Sequence, residues 1–403
     1  MEEQYSSSKN LKENQSNGEK DQPFPPQSRM TGYSEAQLQS ISKQFQIYGE
    51  ILRAEACKIG HINETYIATY GQGGIPVRYV HQKINKNVFK KPDEVMGNMM
   101  RVTNHIREHL EKESESEVTR KVITIIPTRD DQPFYRDPNG DFWRTFLFVE
   151  NVKSYEAVES PGQAVEAGRG FGKFQKCLTG LEGDRLFETI PYFHHSRKRF
   201  EAFKRALEED RYNRASQAKK EIDFAIKNEP IVDVLLNAFE AGEIPERITH
   251  NDTKFNNVLL DVNSGKAMCV VDLDTVMPGL ALYDFGDMVR TTTSPTLEDE
   301  KDLSRVNMRM EMFEGLAKGY LGETGKVMTP GEIKYVVFSG KLMPLTIGLR
   351  FLTDFLSGDF YFRVHRPGHN LDRCRTQFKL VQSVIEQEDA MESVVQSIMK
   401  QLD

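Results

Sequence analysis

Cysteine is scarce in this chain. Four occur in 403 residues, at positions 57, 177, 269 and 374, far apart and with no CxxC pair. That usage excludes a disulfide frame or a paired-cysteine zinc site, and it fits reduced, buried thiols in a reducing compartment. Long apolar runs are also missing: no stretch of about 18 apolar residues occurs, so no transmembrane helix is expected. The first ten residues, Met1 to Asn10, are acidic and polar and lack the basic and apolar regions of a signal peptide. Positive charge is in deficit, with a net charge of −7, so no overall field recruits nucleic acid or an anionic membrane. The expectation is a soluble, cytoplasmic protein with neither nucleic acid nor membrane as partner. A complete P-loop is lacking too. Gly168-Arg169-Gly170-Phe171-Gly172 is followed by no Lys-Ser or Lys-Thr, and Gly322 to Lys326 has the wrong spacing. The first group lies among Val165, Phe171, Phe174 and Leu178 at helical spacing, so its glycines predict close helix packing.

The chain does have material for a sizeable core: 38% hydrophobic residues, including 24 Phe. Its length allows two or three domains, or one two-lobed enzyme. Residues 1–32 are rich in Ser, Gln, Asn, Lys, Glu and Pro and poor in apolar residues, which predicts a disordered tail. Ser34 with Gln37 predicts a capped helix start, with Leu38, Ile41 and Phe45 as its apolar face. Strands are expected at Tyr66 to Thr69, at Arg78 to Asn85, at Val122 to Ile126 and at Phe142 to Glu150. Between them, Pro92 opens a helix with Val95, Met99, Val102, Ile106 and Leu110 on one face. Residues 33–150 therefore read as a small, mainly β unit with one packing helix. Residues 151–403 read as mainly helical, with one apolar helical stretch from Tyr335 to Leu356 that Pro344 should kink or divide.

The chemistry gathers at Thr249-His250-Asn251-Asp252-Thr253-Lys254-Phe255-Asn256-Asn257 and at Asp272-Leu273-Asp274-Thr275. Val258 to Leu260 and Ala267 to Val271 predict a hairpin turning over Asp261 to Gly265, which sets the loop acid beside the acids after the return strand. Phosphoryl transfer needs these parts: a carboxylate to orient the attacking hydroxyl, and an amide with one or two carboxylates to hold magnesium against a triphosphate. Gly60 to Glu64 is a turn of small and polar residues that could cover phosphates with backbone N–H groups, or be an ordinary hairpin. Lys83 could reach phosphates or be solvated, and Glu94 and Glu108 are candidate partners for it. In the apolar stretch, Arg350 and Asp354 stand four apart. They form a mutual pair, or they line a pocket with Tyr361 and Arg363.

These residues resemble the aminoglycoside/choline phosphotransferase superfamily, whose HxD…N…D pattern matches His250-Asn251-Asp252…Asn257…Asp272. Within it the chain is most similar to the N-acetylhexosamine 1-kinases. That likeness rests on Gly60 to Tyr66, Gln82 to Asn85, Glu188 to His194, His250 to Lys254, Asp272 to Gly279, Tyr283 to Asp287, Arg350 to Asp354 and Asp359 to Arg363. The resemblance implies an α+β, bilobal protein-kinase-like fold, with a small, mainly antiparallel β N-lobe and a larger, mainly helical C-lobe. It implies Asp252 as catalytic base. It implies Asn257, Asp272 and Asp274 at the magnesium. It implies Gly60, His61, Asn63, Thr65, Lys83 and Asn257 around ATP, with Phe148 to Glu150 as the hinge at adenine. Thr275, Arg350 and Tyr361 would face the sugar. Asp284-Phe285-Gly286 spells a protein-kinase metal motif, but Asp272 already fills that place. Asp284 and Asp287 are therefore expected to brace the loop at His250.

The implied activity is an ATP- and Mg2+-dependent kinase that phosphorylates the anomeric hydroxyl of N-acetylglucosamine or N-acetylgalactosamine. The alternatives are a kinase for another small alcohol, such as an aminoglycoside, choline or a different hexose, and a non-catalytic nucleotide-binding module.

Overall fold

The computed structural model describes residues 33–57 and 62–402; the expected disordered tail over 1–32, and Gly60 and His61, lie outside them. The chain starts its regular structure as the sequence predicts. Ser34 caps a helix Glu35–Ser42, accepting the Gln37 N–H while the Gln37 side chain accepts the Ser34 N–H. Leu38, Ile41 and Phe45 are buried from there onto the sheet.

That sheet has five antiparallel strands: β1 (Ile51–Ala56), β2 (Glu64–Gln72), β3 (Ile75–Lys83), β4 (Tyr135–Arg136) and β5 (Phe142–Leu147), in the order β1-β2-β3-β5-β4. The β3–β5 register sets Gln82 opposite Arg144 and Lys83 opposite Trp143. Successive side chains take opposite faces. One face buries Tyr66, Tyr70, Tyr79 and Trp143 against the first helix. The other packs Val80, Phe142 and Phe146 on the helix Pro92–Lys112, through Val95, Met99, Val102 and Ile106. The expected strand at Val122 to Ile126 contributes only a single bridge, Ile125 to Phe146.

The C-terminal region is mainly helical, so the fold is α+β with the helices segregated from the antiparallel sheet. The glycine run lies inside the helix Pro161–Cys177 and packs on the helix Met310–Thr324. A Cβ on Gly168 would meet the Leu316 carbonyl at 2.2 Å, and one on Gly319 would meet the Val165 carbonyl at 2.0 Å. Glycine is therefore required for the approach of these two backbones. The helix Pro330–Leu356 runs unbroken through Pro344. It stays one element, so the division expected at Pro344 does not occur. Its length and mean hydropathy of 1.3 would suit a bilayer, but 78% of that window is buried in the protein's own core.

Between the two regions the predicted hairpin forms. Val258–Asp261 pairs with Ala267–Val270, and Val152–Lys153 adds a third strand beside the first. Arg247–Thr249 pairs with Met277–Gly279. These two small sheets carry the polar loops 250–257 and 271–276 at neighbouring ends.

Candidate active site

Loop 250–257 is clamped from below by the helix Ala281–Thr293. Asp284 accepts the N–H groups of His250 at 2.8 Å and Asn251 at 2.7 Å. Asp287 accepts the Thr253 N–H at 3.2 Å and is paired with Arg290 at 2.7 Å. Asp284 is fully enclosed, and burial drives its carboxyl up to about 7 in spite of those two N–H donors. Both acids thus face the loop backbone, which is the bracing geometry expected from the sequence. His250 is buried between Phe171 and Phe174. Its Nε2–H donates to the Val271 carbonyl at 2.9 Å, tying the two loops together. Asn251, at φ +65°, donates its amide to the carbonyls of Thr249 and Thr275. The Thr275 hydroxyl donates to the His250 carbonyl at 2.7 Å and is buried. Thr275 therefore belongs to the loop brace, and its hydroxyl is not presented to an acceptor.

This scaffold delivers three groups to the cleft. Asp252 lies between the Lys254 ammonium, 2.7 Å from Oδ1, and the Asn257 amide, 3.2 Å from Oδ2. Burial alone would raise its carboxyl, but Lys254 and His250 outweigh burial, so it sits below its ordinary value and stays ionised. Asn257 also donates to the Asp252 carbonyl at 2.8 Å, and its own amide oxygen takes no hydrogen bond among the described residues. Asp272 follows the hairpin at φ +62°. It reaches the open cleft and takes no hydrogen bond or ion pair from the described residues. The surrounding protein, together with Asp274 and Asp252, drives its carboxyl up to about 7. An uncompensated carboxylate beside a second one and a free amide oxygen is the donor set a hard divalent cation would neutralise. Asn257 and Asp272 thus fit magnesium.

Asp274 does not share that freedom. It is 2% exposed and forked by Arg144, with Nη2 2.9 Å from Oδ2 and Nη1 on Oδ1. The Asn63 amide donates to the same Oδ2 at 2.6 Å. With both oxygens engaged, Asp274 is the counter-ion of Arg144, not an open metal ligand as expected. Lys83, expected at the phosphates, lies on the sheet face that carries Tyr79 and Trp143, where it pairs with Glu64 at 2.5 Å and lies near Asp141 at 3.8 Å and over the Tyr33 ring. Neither Glu94 nor Glu108 is its partner; Glu94 pairs with Lys91. The cations acting on Asp272 are Arg144 and Lys254. Sequence reading missed Arg144. The available signal was one charge inside the apolar strand Phe142-Trp143-Arg144-Thr145-Phe146-Leu147, which had to be paired.

The remaining expected positions are spread around this centre. The Thr65 hydroxyl accepts from Gln82 at 3.0 Å. In the expected hinge, the Phe148 N–H is used by the Arg78 carbonyl, and Glu150 pairs with Arg78. Val149 between them has no backbone hydrogen bond to a described residue. Arg350 does not pair with Asp354. Asp354 instead accepts the N–H groups of Phe360, Tyr361 and Phe362, fixing that loop. The Arg350 guanidinium stacks on Phe193, Tyr361 and Phe362 and donates to the Tyr361 hydroxyl at 3.3 Å. Arg199 donates to the Phe193 carbonyl at 3.0 Å. Burial and Arg350 lower its guanidinium to about 10. His194, one residue on, donates Nε2–H to the Asn251 carbonyl at 2.8 Å, which joins this cationic, aromatic wall to the catalytic loop. Cavities of about 190 and 420 Å³ lie beside Met277–Leu280 and beside Arg101 and Gln175, and neither is lined by Asp252 or Asp272. Asp272 is exposed and Asp252 partly so.

Residues 53–321 match the sequence profile of the phosphotransferase enzyme family, APH. The chain belongs to this family. It is a phosphotransferase acting on a hydroxyl acceptor. The fold is similar to that of an aminoglycoside phosphotransferase from Alicyclobacillus acidocaldarius, with a TM-score of 0.57 at 11% identity over 94% of this chain and 99% of the other. It is similar to choline kinase from Cryptosporidium parvum, with a TM-score of 0.53 at 13% identity over 90% and 98%. A spectinomycin phosphotransferase solved with ADP and spectinomycin gives 0.51 at 13% identity over 88% and 98%.

Proposed function

We propose that this phosphotransferase is an ATP- and Mg2+-dependent sugar kinase that phosphorylates the anomeric hydroxyl of an N-acetylhexosamine. The observation that carries the kinase reading is the trio in the cleft: an ionised Asp252, the Asn257 amide oxygen and the unpaired Asp272. The β-rich unit over 33–150 would hold the nucleotide, and the unit over 151–403 would hold the acceptor; the similar spectinomycin enzyme was solved with ADP and spectinomycin. Magnesium on Asn257 and Asp272 would neutralise charge on the phosphates. Asp252 orients the sugar hydroxyl in line and takes its proton as the new O–P bond forms and the β–γ bridging bond breaks. Lys254 and Asn257 keep Asp252 ionised and aimed until then. His250 and Asp284 fix the loop, so catalysis is mostly positioning.

Two features support a sugar acceptor. Phe193, Tyr361 and Phe362 give apolar faces for a pyranose ring, and Arg350 and Arg199 supply donors for hydroxyls and an amide oxygen. The neighbours named for aminoglycosides and choline favour a cationic alcohol instead. Against that reading, neither arginine has a carboxylate partner among the described residues, and Asp354 is committed to backbone N–H groups. Asp252→Asn tests the assignment: turnover should fall by roughly a thousandfold or more, with ADP affinity held within about threefold. Near-normal turnover would remove Asp252 from the role.

A further inference from the structure

The segment 357–363 lies between the helices Pro330–Leu356 and His369–Glu386 and carries Tyr361 and Phe362. Gly358 and Asp359 take positive φ, +104° and +63°, and turn the chain back on itself. The Asp359 N–H donates to the Asp354 carbonyl at 2.8 Å, and the next three N–H groups converge on the Asp354 carboxylate. Burial, and more weakly Asp359, push the Asp354 carboxyl up. Two enclosed acids side by side need a donor between them. Asn370, fully buried in the first turn of His369–Glu386, supplies it. Its Nδ2 donates to Asp354 Oδ2 at 2.8 Å and to Asp359 Oδ1 at 2.8 Å. A side-chain amide has two N–H protons, so one goes to each acid. Its oxygen accepts from Arg373 Nη1 at 3.2 Å, and the same nitrogen donates to the Arg363 carbonyl at 3.1 Å, where the segment ends. Arg214 holds the other Asp359 oxygen at 2.5 Å and the Phe355 carbonyl at 2.8 Å. Among the described residues, Asn370 is the one side chain that hydrogen-bonds both acids. The rings that the segment carries, Tyr361 and Phe362, meet the Arg350 guanidinium at 5.7 and 5.4 Å.

We infer that Asn370 is a positioning residue for the acceptor: by clasping Asp354 to Asp359 it holds Tyr361 and Phe362 where they meet Arg350. The inference rests on the acceptor role proposed above for that aromatic wall. Two measurements on the full chain test it: steady-state kinetics with N-acetylglucosamine, ATP and Mg2+, and tryptic cleavage at the exposed Arg363 with no substrate present. Asn370→Ala removes both donors. It should raise the KM for N-acetylglucosamine about tenfold and leave kcat and the KM for ATP within about threefold. Asn370→Asp keeps the shape but turns the donor into an acceptor, so it should lose at least as much. Both variants should be cut at Arg363 at least about fivefold faster than wild type. An acceptor KM within about twofold of wild type in either variant, or acceptor and ATP KM values that rise together, would overturn the inference. So would unchanged cleavage at Arg363 with only a lower melting temperature. Should both variants at 370 fail to fold, Asp359→Gly removes the other end of the contact and keeps the positive φ. A rise confined to the acceptor KM then supports the inference, and an unchanged acceptor KM overturns it. Wild-type protein that turns over no N-acetylglucosamine would sink the sugar reading itself, a result distinct from unchanged cleavage at Arg363, which overturns the clasp alone.

Discussion

Asp272 and Asp284 are both carboxyls raised to about 7, for different reasons, and pH separates them. An acid whose folded value lies above its unfolded value of about 4 binds more protons folded than unfolded between those limits, so stability falls as pH rises from about 4 to about 7. Thermal melting of metal-free protein should show this fall. Magnesium should remove the share due to Asp272 and leave the share due to Asp284, which lies under the loop and out of reach of the cleft. An Asp272→Asn variant should melt with a shallower pH slope that magnesium no longer changes. Asp284→Asn loses one of its two backbone acceptors, so it should cost about 1–3 kcal/mol in urea unfolding and lower kcat without shifting the proton-accepting group. Asp252, Asn257, Asp272 and Asp284 were legible in the sequence because loop and hairpin spacing fix their order. Asp274 was not. Residue type says that an acid can bind metal, but only its buried partner decides whether it is free to, and Arg144 takes both Asp274 oxygens.

The elements were legible where their signal is local. The capping pair at Ser34, the hairpin after Asn257 and the buried glycines of Pro161–Cys177 follow from turn chemistry and spacing. The unbroken helix through Pro344 does not, because tertiary packing outweighs the local cost of proline there. The short edge strand β4 and the lone Ile125 bridge likewise depend on what the neighbouring chain offers. The helix pair Pro161–Cys177 and Met310–Thr324 gives the sharpest test at this scale. Gly319→Ala sets a methyl about 2 Å from the Val165 carbonyl, which cannot retreat without parting the helices. A loss of about 2–4 kcal/mol is expected from urea unfolding, whereas Gly322→Ala, with open space at its Cβ, should be neutral or slightly stabilising.

Across the whole molecule, the Arg144–Asp274 pair is the buried ionic link between the sheet and the catalytic loops. Truncating one partner leaves an uncompensated charge, so Arg144→Met should cost about 3–5 kcal/mol in denaturant unfolding, more than any exposed pair on the surface. The acceptor side is set by Arg199, Arg350 and the aromatic loop that Asp354 holds. Two cations without a carboxylate partner oppose an ammonium-bearing acceptor, so glucosamine should be used at least about tenfold less efficiently than N-acetylglucosamine, read as kcat/KM. The most direct test of the central claim is phosphorus NMR on wild-type protein with ATP, Mg2+ and N-acetylhexosamine beside choline and an aminoglycoside. A new sugar 1-phosphate resonance, growing with ADP and absent for Asp252→Asn, is the result expected. Transfer confined to choline or the aminoglycoside, or phosphate placed on another hydroxyl of the sugar, would contradict it.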